Sequence, residues 1–136
     1  MKFDDIENAF MFVSMAPKFA NSAIISRETD EIFYVSEYGE SDEMPDDVDD
    51  FDKYIRIPHR YDLDLGKVLV FDFVSGHLPD AVQEVDRIFN RKGAYARFKQ
   101  LLESKGMLDQ WHEYEDRRQK TALREWCKEN SIEITD

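Results

Sequence analysis

Apolar positions along the chain recur with helical spacing in some stretches and with strand spacing in others. Ile6, Phe10 and Val13 stand at i, i+4 and i+7 and predict a first helix over about residues 5–15, stopped by Pro17. Asp4 and Glu7 have the separation of a capping box, with Asp in place of the usual Ser or Thr. Residues 22–27 and 31–36 are rich in β-branched and aromatic side chains (Ile24, Ile25; Ile32, Phe33, Tyr34, Val35), and the polar Glu28-Thr29-Asp30 divides them, which predicts a β-hairpin. Residues 54–57 alternate in the strand sense before Pro58 and extend the hairpin to a three-stranded antiparallel meander. Residues 63–74 contain a strand-like run, Val68 to Phe71, but Leu65, Val68, Leu69 and Asp72 also trace a helical face, and the length favours helix.

From Leu78 the helical period is clear. Leu78, Ala81, Val82, Val85, Ile88 and Phe89 form one stripe, with Pro79 suited to a first turn. Gly93 marks a break, and Ala94, Phe98, Leu101 and Leu102 form a second stripe that Gly106 ends. Asp109 is placed to cap a last helix running to about Lys128, with Asn130 at its end and acid-first pairs Glu113–Arg117 and Asp116–Lys120 along it. Ile132-Glu133-Ile134 has the composition of a short terminal strand. The predicted class is α+β: an N-terminal helix, a small three-stranded antiparallel meander, then a C-terminal helical half of three to four helices covering one sheet face. Residues 1–136 read as a single domain with an acidic loop at about 37–52.

Composition narrows the setting. With 136 residues, of which 42% are hydrophobic and 13% aromatic, a core needs no covalent staple. One cysteine, Cys127, leaves no internal disulfide and fits a reducing compartment. No apolar run approaches the roughly 20 residues of a membrane helix, and Asp4 and Asp5 stand where a secretory leader would be basic and then apolar. A soluble, cytoplasmic protein without membrane contact is the expectation.

Charge is the strongest compositional signal. Eighteen Lys and Arg against thirty Asp and Glu give a formal net charge of −12, which repels nucleic acid and anionic lipid and attracts basic partners. Residues 1–78 hold 7 basic and 18 acidic side chains, net −11, whereas residues 79–136 hold 11 and 12, net −1. Nine acids and no base lie between residues 37 and 52: Glu37, Glu40, Asp42, Glu43, Asp46, Asp47, Asp49, Asp50 and Asp52. A calcium loop does not fit them, because a start at Asp46 puts Phe51 where the turn needs Gly and Ile57 where the ion needs Glu. The run is either a solvated loop extended by its own repulsion or a docking surface for a cationic partner. The opposite extreme, residues 87–99, has five bases (Arg87, Arg91, Lys92, Arg97, Lys99) and no acid.

Dedicated chemistry is thin. His59, His77 and His112 have no metal-ligand spacing, so no metal is expected. Cys127 stands late in a helix, where the dipole opposes a thiolate, and reads as a core residue. The five glycines are too scattered for a phosphate loop, so no cofactor is expected either. Asp72, between Phe71 and Phe73, is the one isolated carboxylate; with His77 or His112 it would form a site only by convergence in space. No catalytic residue is assigned.

Three runs in the C-terminal half carry a resemblance. Lys92-Gly93-Ala94-Tyr95-Ala96-Arg97-Phe98-Lys99, then Gly106-Met107-Leu108-Asp109-Gln110-Trp111-His112-Glu113-Tyr114, then Glu125-Trp126-Cys127-Lys128-Glu129-Asn130-Ser131-Ile132 resemble, in order, the G-K-G-A-F-x-x-F-K, W-Y-x-F and E-W-C-x-x-N-x-I runs of the bacterial uncharacterised protein family 0158. The chain departs from that pattern at Tyr95, for Phe, and at His112, for Tyr. The resemblance implies an intracellular bacterial setting and brings no established activity.

The residues therefore point first to a non-enzymatic interaction protein of inhibitor, immunity or antitoxin type. It would present an acidic face to a basic protein, with Asp46, Asp47, Asp49 and Asp50 steering and Phe51 or Tyr54 as an aromatic anchor. The alternative from another class is RNA or single-strand binding through Arg91, Lys92, Tyr95, Arg97 and Lys99, which the net charge disfavours. An enzyme assembled from scattered side chains is the third reading.

Overall fold

The computed structural model describes residues 1–37, 39 and 41–136; Tyr38, and Glu40 of the acidic run, lie outside the described residues. The fold is α+β, and the described residues form five α-helices and one three-stranded antiparallel sheet. It divides into two compact units, Met1–Leu63 with Ala122–Asp136, and Asp64–Thr121.

In the first unit α1 spans Phe3–Ser14 and buries Phe3, Ile6, Ala9, Phe10 and Val13 along one face. It begins earlier than the apolar spacing indicates, and the capping box of Asp4 and Glu7 does not form: Lys2 is the N-cap and no side chain caps it. The reason lies at the far end of the chain. Thr135 bridges Lys2 in parallel, and its carbonyl accepts the Phe3 N–H at 2.9 Å, satisfying one of the first-turn donors that has no partner within the helix. Asp4 and Asp5 stay in the first turn, at the favourable end of the helix dipole. The terminal strand expected at 132–134 reduces to this single bridge at Thr135.

Strands β1 (Asn21–Ser26), β2 (Ile32–Ser36) and β3 (Tyr54–Arg56) are all antiparallel. Their order is β2-β1-β3, which corrects the meander: Ala23 pairs with Tyr34 on one side, and Ile25 pairs with Ile55 on the other. The physical cause is burial. Ala23, Ile24 and Ile25 are each 1% exposed, so β1 takes the central position, and the long connection after β2 lets β3 return to its far side. The hairpin turn closes through Asp30, whose φ of 61° is a left-handed conformation that Asp tolerates better than most side chains. The outer edge of β2 is occupied in turn. Tyr34 N–H donates to Asp42 Oδ2 at 2.8 Å, Asp42 N–H donates to the Tyr34 carbonyl at 2.8 Å, and Ser36 N–H donates to Ser41 Oγ at 3.1 Å.

Phe12 meets Tyr34 edge-on at 5.1 Å, joining α1 to the sheet. His59, 4% exposed, has Nε2 2.9 Å from the Ala16 carbonyl while Nδ1 accepts the Tyr61 N–H, so it is a satisfied core histidine with its proton on Nε2. Helix α5, Leu108–Glu129, supplies Leu123 and Cys127 to the core of this unit. Arg124 lies 4.1 Å from the centroid of the Phe3 ring and pairs with Asp136 at 2.6 Å. The helix ends in a Schellman arrangement: Ser131 has φ of 58°, its N–H donates to the Lys128 carbonyl, and Ile132 N–H donates to that of Cys127.

The second unit is helical. The ambiguous stretch is a helix, α2 (Lys67–His77), which buries Leu69, Val70, Phe73 and Val74. A 3₁₀ turn at Pro79–Ala81 leads into α3 (Val82–Phe89), and α4 (Ala94–Ser104) and the first part of α5 follow. Asp109 lies inside the first turn of α5 and does not precede it. Gly93, at φ 73°, is the N-cap of α4, and Gly106, at φ 69°, follows its end. The core is aromatic: Trp111 meets Phe98 at 5.1 Å and Phe73 at 5.3 Å, both edge-on, and Phe98 meets Phe89 at 5.8 Å. Among the described residues, no helix is long and apolar enough to cross a membrane.

Candidate functional site

The acidic segment is folded into successive turns. Val48 N–H donates to the Pro45 carbonyl, Asp50 to Asp47, and both Lys53 and Tyr54 to Asp50. Asp50 Oδ1 also accepts the Asp52 N–H at 3.0 Å, the local side-chain bond for which aspartate is favoured in turns. These bonds spread the carboxylates over a defined backbone. Asp46, Asp47, Asp49, Asp50 and Asp52 are all exposed.

Two of the four steering candidates are engaged by the chain's own cations. Lys53 Nζ donates to Asp47 Oδ2 at 2.9 Å, and Arg56 lies 3.5 Å from Asp49. The Lys53 hydrogen bond holds the Asp47 carboxyl below the usual carboxylate range, and the same bond pushes the ammonium up. Among the described residues, Asp46, Asp50 and Asp52 have no ion pair within 4.0 Å. The engagement of Asp47 and Asp49 was not read from the acidic run because both cations stand just past its end; their signal was their nearness in sequence.

The two anchor candidates differ. Tyr54, on β3, is half-buried, and its hydroxyl is raised first by burial and then by the charge of Asp47. Phe51 is 79% exposed, yet its backbone is fixed: its carbonyl accepts from Arg27 Nε at 3.1 Å. Arg27 also donates from Nη1 to the Asn130 carbonyl at 2.7 Å and through its backbone N–H to the Lys53 carbonyl at 2.8 Å. Beside the Phe51 ring lies a shallow hollow of about 380 Å³ lined by Arg27, Phe51, Asp52, Glu129, Asn130 and Ser131. Sequence reasoning missed Arg27, Glu129 and this hollow, since pairings across 24 and 103 residues leave no local trace.

The basic stretch separates into two sets. Its aromatics turn to one another, with Phe89 meeting Tyr95 edge-on at 5.1 Å and Phe98 at 5.8 Å. Its cations Arg87, Arg91, Lys92, Arg97 and Lys99 are exposed. Phe98 is fully buried and Phe89 and Tyr95 are half-buried, which leaves limited ring surface for base stacking.

The scattered catalytic candidates are not joined. Asp72 pairs with Arg118 at 3.5 Å, His77 stacks on Phe73 with centroids 4.6 Å apart, and His112 is exposed. Among the described residues, no hydrogen bond or ion pair links Asp72 to either histidine, and no three His, Cys, Asp or Glu side chains are grouped to hold a metal ion. Cys127 is 1% exposed, and burial pushes its thiol up.

The model of the uncharacterised protein family UPF0158 matches residues 21–135, and the chain belongs to that family. No curated protein and no solved structure matches the chain.

Proposed function

We propose that this chain is a non-enzymatic, cytoplasmic bacterial interaction protein that binds a basic protein surface, in the manner of an inhibitor, immunity protein or antitoxin. The observation that carries the reading is Phe51: a large apolar ring 79% exposed, on a backbone fixed by Arg27, with exposed aspartates on either side of it in the sequence. An exposed ring costs solvation in isolation, and its surroundings match a partner's cationic side chain. The hollow beside it offers Asp52 and Glu129 as carboxylates for a guanidinium whose flat face can lie against the ring. Asp46 and Asp50 add the long-range field that speeds encounter, while Lys53 and Arg56 temper that of Asp47 and Asp49.

The test compares two variants of equal net charge against an immobilised small basic protein over a salt series. Replacing Asp46, Asp47, Asp49 and Asp50 by Asn keeps the side-chain acceptor of Asp50 and removes the local field. Replacing Glu103, Asp109, Glu113 and Glu125 by their amides removes the same charge elsewhere. The first set slows association and flattens its salt dependence, and the second leaves most of both intact. Equal behaviour of the two sets refutes the role.

A further inference from the structure

The second unit holds a feature that the acidic face does not use. Arg87 stands in the last turn of α3, Arg91 follows the Asn90 C-cap, and Arg97 lies near the start of α4. Gly93, in its left-handed conformation, reverses the chain between the two helices. All three arginines, with Glu84, Ile88 and Asn90, line one open cleft of about 600 Å³, within the size range of small-molecule sites.

Acids outnumber bases by thirty to eighteen, and Lys18, Lys53, Arg56, Arg118, Lys120 and Arg124 each have a carboxylate partner. Among the described residues, Arg87, Arg91 and Arg97 have none within 4.0 Å. Glu84 supplies one negative charge to the lining, which leaves the cleft with two in excess. Arg87 suits the C-terminal end of α3, but Arg97 opposes the dipole at the N-terminal end of α4, whose first turn has no acid. An anion in the cleft relieves both the mutual repulsion and the opposed dipole.

We infer that this cleft binds the phosphoryl or pyrophosphoryl group of a small phosphorylated ligand. Guanidinium forks match phosphate oxygens in pairs, and three of them provide more donors than one phosphoryl group needs. A polynucleotide is the less favoured occupant. Of the rings that would stack bases, Phe98 is fully buried and Phe89 and Tyr95 are half-buried, and a net charge of −12 opposes a long polyanion.

The experiment titrates the intact protein with inorganic phosphate, with pyrophosphate and with a short oligouridylate in low-salt, phosphate-free buffer, and follows arginine Nε resonances and binding heat. Saturable one-to-one binding of pyrophosphate, with shifts concentrated on Arg87, Arg91 and Arg97, is expected. Arg91→Gln weakens it about tenfold, the share of a charge-assisted hydrogen bond, while Arg117→Gln, on exposed α5, changes nothing. The inference is overturned if neither phosphate nor pyrophosphate saturates, if Arg117 shifts as strongly as the cleft arginines, or if oligouridylate binds more tightly than pyrophosphate. Thermal midpoints of the ligand-free variants separate lost binding from lost folding.

Discussion

Arg27 Nε donates to the carbonyl of Phe51 at 3.1 Å, and the ring of that phenylalanine is nonetheless 79% exposed. The guanidinium fixes the chain at Phe51 while leaving the side chain to solvent. A group held this way loses little further backbone entropy when a partner arrives.

Replacing Arg27 by Met keeps the aliphatic stem and removes the bonds to the Phe51 and Asn130 carbonyls. For a half-buried group we expect a loss of about 1–2 kcal/mol in urea unfolding. Amide exchange should rise at Asp52, Lys53 and Tyr54 before it rises in β1. Unchanged exchange there would show that the turns hold without the arginine.

Phe51→Ala separates display from stability. The ring is mostly in water, so unfolding free energy should move by no more than about 0.5 kcal/mol. Dissociation from a basic partner should accelerate, with the association rate and its salt dependence nearly constant, because the field is untouched. A change confined to the association rate would remove the anchor role.

Acid should weaken the region around Asp62. The Lys18 hydrogen bond holds this carboxyl below its usual range, helped by the His59 N–H that donates to it. A carboxyl with a depressed folded-state pKa adds stability that is present above the ordinary carboxylate range and is lost as pH falls through the depressed value. Carboxyl ¹³C shifts should show Asp62 titrating late on acidification, and Lys18→Gln should move that titration back upward.

The aromatic core gives a graded prediction. Trp111 is 1% exposed between Phe73 and Phe98, and among the described residues its indole Nε1 has no hydrogen-bond partner. Trp111→Ala should cost about 3–5 kcal/mol by opening a cavity. Trp111→Phe should cost clearly less, because it also removes an unsatisfied buried N–H. Chemical denaturation orders the two; similar losses would indicate that the indole ring as a whole, and not its bulk, sets the packing.

Periodicity made the helices legible. Ile6, Phe10 and Val13 mark the buried face of α1, and Gly93 and Gly106 stand at the helix boundaries that the stripes indicate. Long-range pairing was not legible. The start of α1 depends on Thr135, and the position of β3 depends on how deeply β1 is buried. At the surface, the acidic run and the aromatic Phe51 could be read directly, whereas Arg27, which orders them, is distant in sequence. The arginines of residues 87–99 were visible as a composition, but their convergence required the reversal at Gly93.

The bonds from Ser41 and Asp42 to β2 have a consequence for colloidal behaviour. An uncovered strand margin is a template for another molecule's strand, and here a serine hydroxyl and an aspartate occupy that margin at Ser36 and Tyr34. The beginning of the most negative segment thus also acts as a guard against fibril-like stacking. Trimming it to simplify the surface would leave a molecule with fewer charges and an open template, and such a molecule would precipitate.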